Sequence, residues 1–442
     1  MIETETPADK AIVIRALLGP HDPEEDARLE EATGLAEALG LDVIESLFAP
    51  VRKIDPGRFF GRGKLEEMGA YIASLGTEVA IVDAALSPVQ QRNLEKAWKV
   101  KVVDRTGLIL EIFGLRARTK EGRLQVELAR LAYERSRLVR TWTHLERQRG
   151  GQGFMGGPGE TQIEADRRIL ADKMSRLRKE LEEVRRTRAL HRKTRKTAPY
   201  PMVAIVGYTN AGKSTLFNRI TGAGVFAKDM PFATLDTTVR GFRTPAGTQL
   251  LLSDTVGFIT DLPTELVAAF RATLEEVREA DIIIHVLDVS AVDFETRRRE
   301  VEAILDAIDA GSEHGQPVIE VFNKIDLWQD DDELELDTLS RLPRKSDDAV
   351  CAISVSAQTG EGIDRLLAAI DRTMAEKSVV LNVTAGVRDH KAIAWLHEHG
   401  AVISERVDDE GVTFAVARLS PEVAGRFASL FPGLAPGFED AV

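Results

Sequence analysis

The hydrophobic and polar positions change period along the chain. Residues 11–18 (AIVIRALL), 41–48, 78–83 and 100–104 are short apolar runs rich in β-branched residues. Between them, 24–39, 63–75 and 88–98 repeat apolar residues at helical spacing. Strands alternating with helices predict a mostly parallel sheet. Ser87-Pro88 predicts a helix cap with proline at the first helical position. From about Thr106 the pattern lengthens. Residues 124–148 and 163–193 place apolar residues at every third or fourth position and predict two long amphipathic helices. Six glycines within 150–159 predict a flexible tip between them, hence a helical hairpin. Ala198-Pro199-Tyr200-Pro201 predicts a stiff linker. Beyond it, MVAIVG (202–207) and DIIIHVLDVS predict buried strands, and 262–280 predicts a helix. After residue 375, VVLNVTA, AVISERV and VTFAVARL predict strands, the last two joined by the DDEG turn at 408–411. With helices over HKAIAWLHEHG and PEVAGRFASLF, they predict a small β-α-β-β-α unit. The fold class is therefore α/β multidomain. An N-terminal α/β unit (1–105) is followed by a helical hairpin (106–197), a phosphate-loop domain (198–375) and a small α+β domain (376–442).

Composition narrows the class. The single cysteine, Cys351, excludes a disulfide framework and suggests a reducing compartment. The acidic start MIETETPADK is not a signal peptide, and no apolar run approaches the ~20 residues that span a bilayer. A cytoplasmic protein is expected. The net charge of −13 hides an asymmetry: residues 115–199 hold 23 Lys+Arg against 11 Asp+Glu, or +12, which leaves −25 on the rest. Either this basic segment meets a polyanion, or it is a solvated helical face. Arg147, Arg149, Arg167 and Arg168 flank the glycine-rich tip, which suits a phosphate-rich RNA groove.

The chemistry centres on GYTNAGKSTLFNRI (207–220), which matches G-x-x-x-x-G-K-[ST] between a predicted strand and a predicted helix. Backbone N–H groups of such a loop cradle phosphates, Lys213 reaches the outer ones and Ser214 offers its hydroxyl to Mg²⁺. Four further boxes follow in the order that a GTPase needs. FATLDTT (232–238) offers Thr234 as a switch threonine and second metal ligand, and DTVG places Asp254 and Gly257 by the γ-phosphate. NKID supplies Asn323, Lys324 and Asp326, and AISVSA supplies Ser356 and Ala357. A buried Asp326 carboxylate accepts two N–H donors of guanine and rejects adenine. The nucleotide contacts are thus placed on Gly207, Tyr208, Thr209, Asn210, Ala211, Gly212, Lys213, Ser214 and Thr215. They continue on Phe232, Ala233, Thr234, Leu235 and Asp236, then Asp254, Thr255, Val256 and Gly257, and end on Asn323, Lys324, Ile325, Asp326, Ser356 and Ala357. Lys213, Thr234 and Gly257 are the catalytic candidates. Phe258 stands where Ras-type GTPases place a water-orienting glutamine, so slow intrinsic turnover is expected. Gly61, Arg62, Gly63 and Lys64 form either a tight turn with a basic cap or an anion site. His390, His397 and His399 are expected at the surface, since no ligand spacing supports a metal.

These residues carry a resemblance. FFGRGKLEEM, LSPVQQRNLE, DRTGLILEIFGLRARTKEGRLQVELARLAY and GGPGETQIEADRR, with GYTNAGKSTLFN, FATLDTT, DTVGFITDLP and NKID, resemble the HflX family of ribosome-associated GTPases, within the Obg–HflX group. The resemblance covers most of residues 55–330. It implies GTP hydrolysis with Mg²⁺, GTP-dependent binding to ribosomes, mainly the large subunit and its RNA, and splitting of stalled or idle ribosomes after stress. It also implies that the glycine-rich tip reaches toward the peptidyl transferase centre and that some members bind ATP through the N-terminal unit. The chain is expected to be monomeric off the ribosome. A second reading is a GTP-regulated interaction protein acting on a membrane or a protease complex; the basic hairpin weighs for RNA.

Overall fold

The structure is a computed structural model. It describes residues 8–148, 158–195, 200–223, 231–232, 238–260, 274–327, 351–376, 378–386, 389–399, 401–408, 410–419 and 421–434. The N-terminal unit is a four-stranded parallel sheet in the order β2-β1-β3-β4, with β1 Lys10–Leu17, β2 Asp42–Pro50, β3 Val79–Asp83 and β4 Lys101–Asp104. Alternate residues face opposite sides. Ala11, Val13 and Ile81 therefore pack under helices α1 (Pro23–Ala38) and α4 (Arg105–Arg116). Ile12, Ile14 and Val82 pack under α2 (Arg62–Leu75) and α3 (Pro88–Trp98). Ser87 caps α3 in a reciprocal box with Gln90, with Pro88 inside the first turn, as its sequence predicts. At the start of α2, Arg62 and Lys64 turn to Glu66 and Glu67 of their own helix, which is the basic-cap arrangement.

Helices α5 (Lys120–Gln148) and α6 (Pro158–Arg195) form the predicted pair. Met174 and Leu181 are buried, whereas Arg167 and Arg168 are exposed. Arg147 stands in the last turn of α5; Arg149 and most of the glycine-rich tip lie outside the described residues.

The next unit is a six-stranded sheet in the order β10-β9-β8-β5-β7-β6. Its strands are β5 Met202–Gly207, β6 Thr238–Arg243, β7 Gln249–Asp254, β8 Ile282–Asp288, β9 Val318–Asn323 and β10 Cys351–Ser354. Only β6 runs antiparallel, on the edge. The sheet is covered by α7 (Lys213–Thr221), α8 (Phe294–Ala307) and α9 (Ile363–Glu376). Of the helix predicted at 262–280, residues 262–273 lie outside the described residues and 274–278 are helical. Ala198 and Pro199 of the predicted linker lie outside them as well.

The last unit is an antiparallel sheet of β11 (Val379–Ala385), β12 (Ala401–Val407) and β13 (Thr413–Leu419) in the order β11-β13-β12, packed against α10 (His390–His399) and α11 (Pro421–Leu430). His390 and His397 are exposed. His399 is not a surface residue: its side chain is 10% exposed and stacks on Trp395, because the end of α10 folds onto an aromatic cluster. The described residues contain no cluster of metal-ligating side chains and no helix long and apolar enough to cross a membrane.

Candidate nucleotide site

The phosphate loop and the DTVG, NKID and AISVSA boxes converge where the parallel strands of the second sheet end. β5 leads into the loop, Asn210 (φ 61°) and Gly212 (φ 91°) take left-handed conformations, and Gly212 caps α7. A Cβ on Gly212 would overlap the Asn323 side-chain amide, so only glycine fits. Asn323 ties two boxes to a third: its Nδ2 donates to the Ala211 carbonyl (2.8 Å), and its Oδ1 accepts from the Ala357 N–H (2.9 Å). Ser356 is fully buried, and its hydroxyl accepts from the Thr359 N–H at 3.0 Å. Lys324 takes φ 68° and pairs with Asp288 at 2.7 Å. Ile325 packs beside Phe322 and Val289.

Lys213 is buried, and its Nζ donates to the Tyr208 carbonyl at 2.6 Å. Burial lowers its pKa to about 8, against the opposing pull of Asp254. The Ser214 hydroxyl donates to Asp254 at 2.8 Å. Residues 254–258 run alongside the phosphate loop: the Thr209 N–H donates to the Phe258 carbonyl (2.7 Å), and the Phe258 N–H donates to the Gly207 carbonyl (3.1 Å). Thr255 is fully buried and donates to the Ile205 carbonyl (2.6 Å). A Cβ on Gly257 would stand 3.0 Å from Lys213 Nζ and 2.9 Å from Thr209 Cγ2, so this glycine permits the close approach. The Phe258 ring lies in the core with Val206, Val277 and Ile283, and only its backbone meets the loop. Thr215 is half-buried and Asn210 is exposed.

Three side chains have surroundings that the sequence did not indicate. Asp326 is exposed, not buried, because it sits past the end of β9 in a short 3-10 turn. Phe232 does not line the pocket: it is buried against Phe113 of α4, ring centroids 4.5 Å apart, and belongs to the core of the N-terminal unit. The Tyr208 side chain also leaves the pocket. Its hydroxyl meets Glu31 of α1 and the Thr260 hydroxyl, and burial beside Glu31 holds the phenol well above its ordinary pKa. Ala233, Thr234, Leu235 and Asp236 lie outside the described residues. Sequence reasoning missed Glu31, Arg105 and Thr260. Arg105 donates to the Thr260 carbonyl at 3.0 Å across 155 residues of chain. No periodicity or spacing signals a partner at that separation.

A strand–loop–helix phosphate site, with the DTVG, NKID and AISVSA boxes at the ends of parallel strands, defines a P-loop GTPase. Comparison with known proteins then places the family. Residues 26–114 match the model described as GTP-binding GTPase N-terminal, and 116–195 match GTP-binding GTPase Middle Region. Residues 202–324 match 50S ribosome-binding GTPase, and 341–427 match HflX C-terminal domain. GTPase HflX of Magnetococcus marinus is 47% identical over 96% of this chain and 96% of that one. The Escherichia coli GTPase HflX is 39% identical over 93% of each chain. A solved complex of SsGBP with GDP is 25% identical, covers 82% of this chain and 98% of that one, and has a TM-score of 0.47. The chain belongs to the HflX family of GTPases, and it binds GTP and hydrolyses it to GDP and phosphate.

Proposed function

We propose that GTP binding gates attachment of this protein to the large ribosomal subunit and its RNA, and that attachment dissociates stalled or idle ribosomes. The observation that carries this reading is the charge of residues 115–199, +12 in an acidic protein, set on a helical pair whose outer helix exposes Arg167 and Arg168. Phosphate contacts by such a surface supply affinity without sequence readout. The match of residues 202–324 to a model described as 50S ribosome-binding GTPase supports the same partner. The same reading divides the chain at residues 105, 197 and 375, keeps it in the cytoplasm and leaves it monomeric off the ribosome. Arg147 and Arg149 would join Arg167 and Arg168 on the RNA.

Within the pocket, Lys213 and the loop N–H groups would stabilise charge on the transferring phosphoryl, and Gly257 would present its N–H to the γ-phosphate. The Ser214 hydroxyl beside the Asp254 carboxylate is a hard-oxygen donor set that fits Mg²⁺. Ser214 and Thr234 would hold the ion, which neutralises phosphate charge. Asp326, with Asn323 and Lys324 fixed around it, would select guanine, and the base itself would bury the carboxylate. Since Phe258 is held in the core, no side chain directly follows D-x-x-G to orient water, and turnover should be slow until the subunit orders the switches.

Gradient sedimentation with purified large subunits tests the reading. The protein should co-sediment with a non-hydrolysable GTP analogue and not with GDP. Reversing Arg167 and Arg168 to Glu should weaken binding and flatten its salt dependence. Deleting residues 150–159 should spare GTP binding and abolish splitting. Equal co-sedimentation in both nucleotide states would sink the gating claim.

A further inference from the structure

The N-terminal sheet reverses its winding between β1 and β3. In open α/β sheets such a reversal opens a crevice at the carboxyl ends of the two strands, where ligands bind. Here Arg15 and Asp83 are paired in register at that crevice. Asp83 accepts from Arg15 at 2.9 Å and from Arg105 at 2.7 Å, and Arg105 also binds Glu31. The crevice therefore holds a fixed guanidinium fork aimed outward. What meets it is the chain's own GTPase unit. Arg105 donates to the Thr260 carbonyl from Nη2 (3.0 Å) and Nε (3.3 Å). Tyr208 binds Glu31 with its hydroxyl, and that same oxygen accepts the Thr260 N–H at 2.6 Å. Arg105, Tyr208 and Thr260 are 6%, 4% and 8% exposed, so water cannot replace a lost partner.

Tyr208 is the first variable residue of the phosphate loop, and Thr260 lies three residues past Gly257. One buried hydroxyl thus joins the loop, the D-x-x-G segment and the N-terminal unit. We propose that Arg105 and Tyr208 are positioning residues for GTP hydrolysis: from the N-terminal unit they fix the segment after D-x-x-G, and so the placement of Gly257 beside Lys213. The crevice of the N-terminal sheet takes Tyr208 of the phosphate loop and Thr260 of the segment after D-x-x-G, both of its own chain, as its ligand. This rests on GTP hydrolysis alone and is independent of the ribosomal reading.

The test uses the full chain with Tyr208→Phe, which keeps the ring under Arg297 (4.7 Å) and removes only the hydroxyl. Under single-turnover conditions at saturating GTP the rate should fall by roughly ten- to a hundredfold, the cost of a small misplacement in a catalytic site. GDP affinity should be unchanged, which separates positioning from damage to the pocket. Hydrogen exchange at the Thr260 amide should accelerate, a readout that does not depend on activity. Arg105→Lys keeps a charge for Asp83 and Glu31 but lacks the fork that reaches Thr260, and it should show the same split. It decides the question if the tyrosine variant fails to fold. Wild-type hydrolysis in a folded variant, or loss of GDP affinity together with rate, would overturn the proposal.

Discussion

Lys213, the proposed phosphate ligand, shows how burial changes the charge of a loop residue. Removing its ammonium from water lowers the pKa from 10.5 to about 8. A bound phosphate chain favours the charged form and raises it again. Under the proposed contact, nucleotide binding above about pH 8 takes up a proton, and affinity should fall as pH rises, by at most about tenfold per unit. Below pH 8 it should be flat. The sign for stability is the reverse: from about pH 8 to 10.5 the unfolded chain holds a proton that the folded one has lost, so the nucleotide-free protein gains stability as pH rises. Calorimetric titration with GDP on either side of pH 8 checks this, and an affinity that stays level above pH 8 refutes it. The phosphate-loop pattern was legible in the sequence because its residues are contiguous and serve one demanding chemistry. The surroundings of the Tyr208, Phe232 and Asp326 side chains were not, because they come from distant segments or from the end of a strand.

The strands and helices were legible because burial imposes their periods. α3 spans Pro88–Trp98, matching the predicted 88–98, and α6 spans Pro158–Arg195 where 163–193 was predicted. The polar residue inside a buried strand is harder to read. His285 lies mid-strand in β8, 1% exposed, and among the described residues its Nε2 has no hydrogen-bond partner. Burial, with Arg298 and then Lys213 nearby, lowers its pKa to about 3. It is thus neutral in the folded chain, whereas the unfolded chain takes up a proton below pH 6.5. Stability should fall as pH drops from 6.5 toward 3. His285→Leu should flatten that dependence and cost little near pH 7, since the apolar side chain leaves no polar atom unpaired. Urea midpoints of both proteins across this range measure it. Equal acid sensitivity would show that other groups control it.

At the scale of the whole molecule, the basic hairpin and the nucleotide pocket are joined by a short physical path. Tyr133 of α5 donates to Asp104 at 2.6 Å, and Arg137, over the Tyr133 ring, comes within 3.7 Å of the same carboxylate. Asp104 is the N-cap of α4, accepting from the Gly107 N–H at 3.0 Å. The next residue is Arg105, which holds Thr260. A displacement of α5 on the sheet must disturb the cap of α4, and the side chain that leaves its first position reaches the D-x-x-G segment. A thermodynamic cycle measures the coupling. Tyr133→Phe should leave the hydrolysis rate of the free protein near wild type and reduce its stimulation by large ribosomal subunits. Placed on Tyr208→Phe, which has already released the segment, it should cost little further stimulation. Single-turnover hydrolysis by the wild type, both single variants and the double variant, with and without subunits, separates the outcomes. If subunits do not stimulate the wild type, the ribosomal reading fails. If they stimulate the wild type and Tyr133→Phe equally, or if the two losses simply add, the hairpin does not act through Asp104 and Arg105.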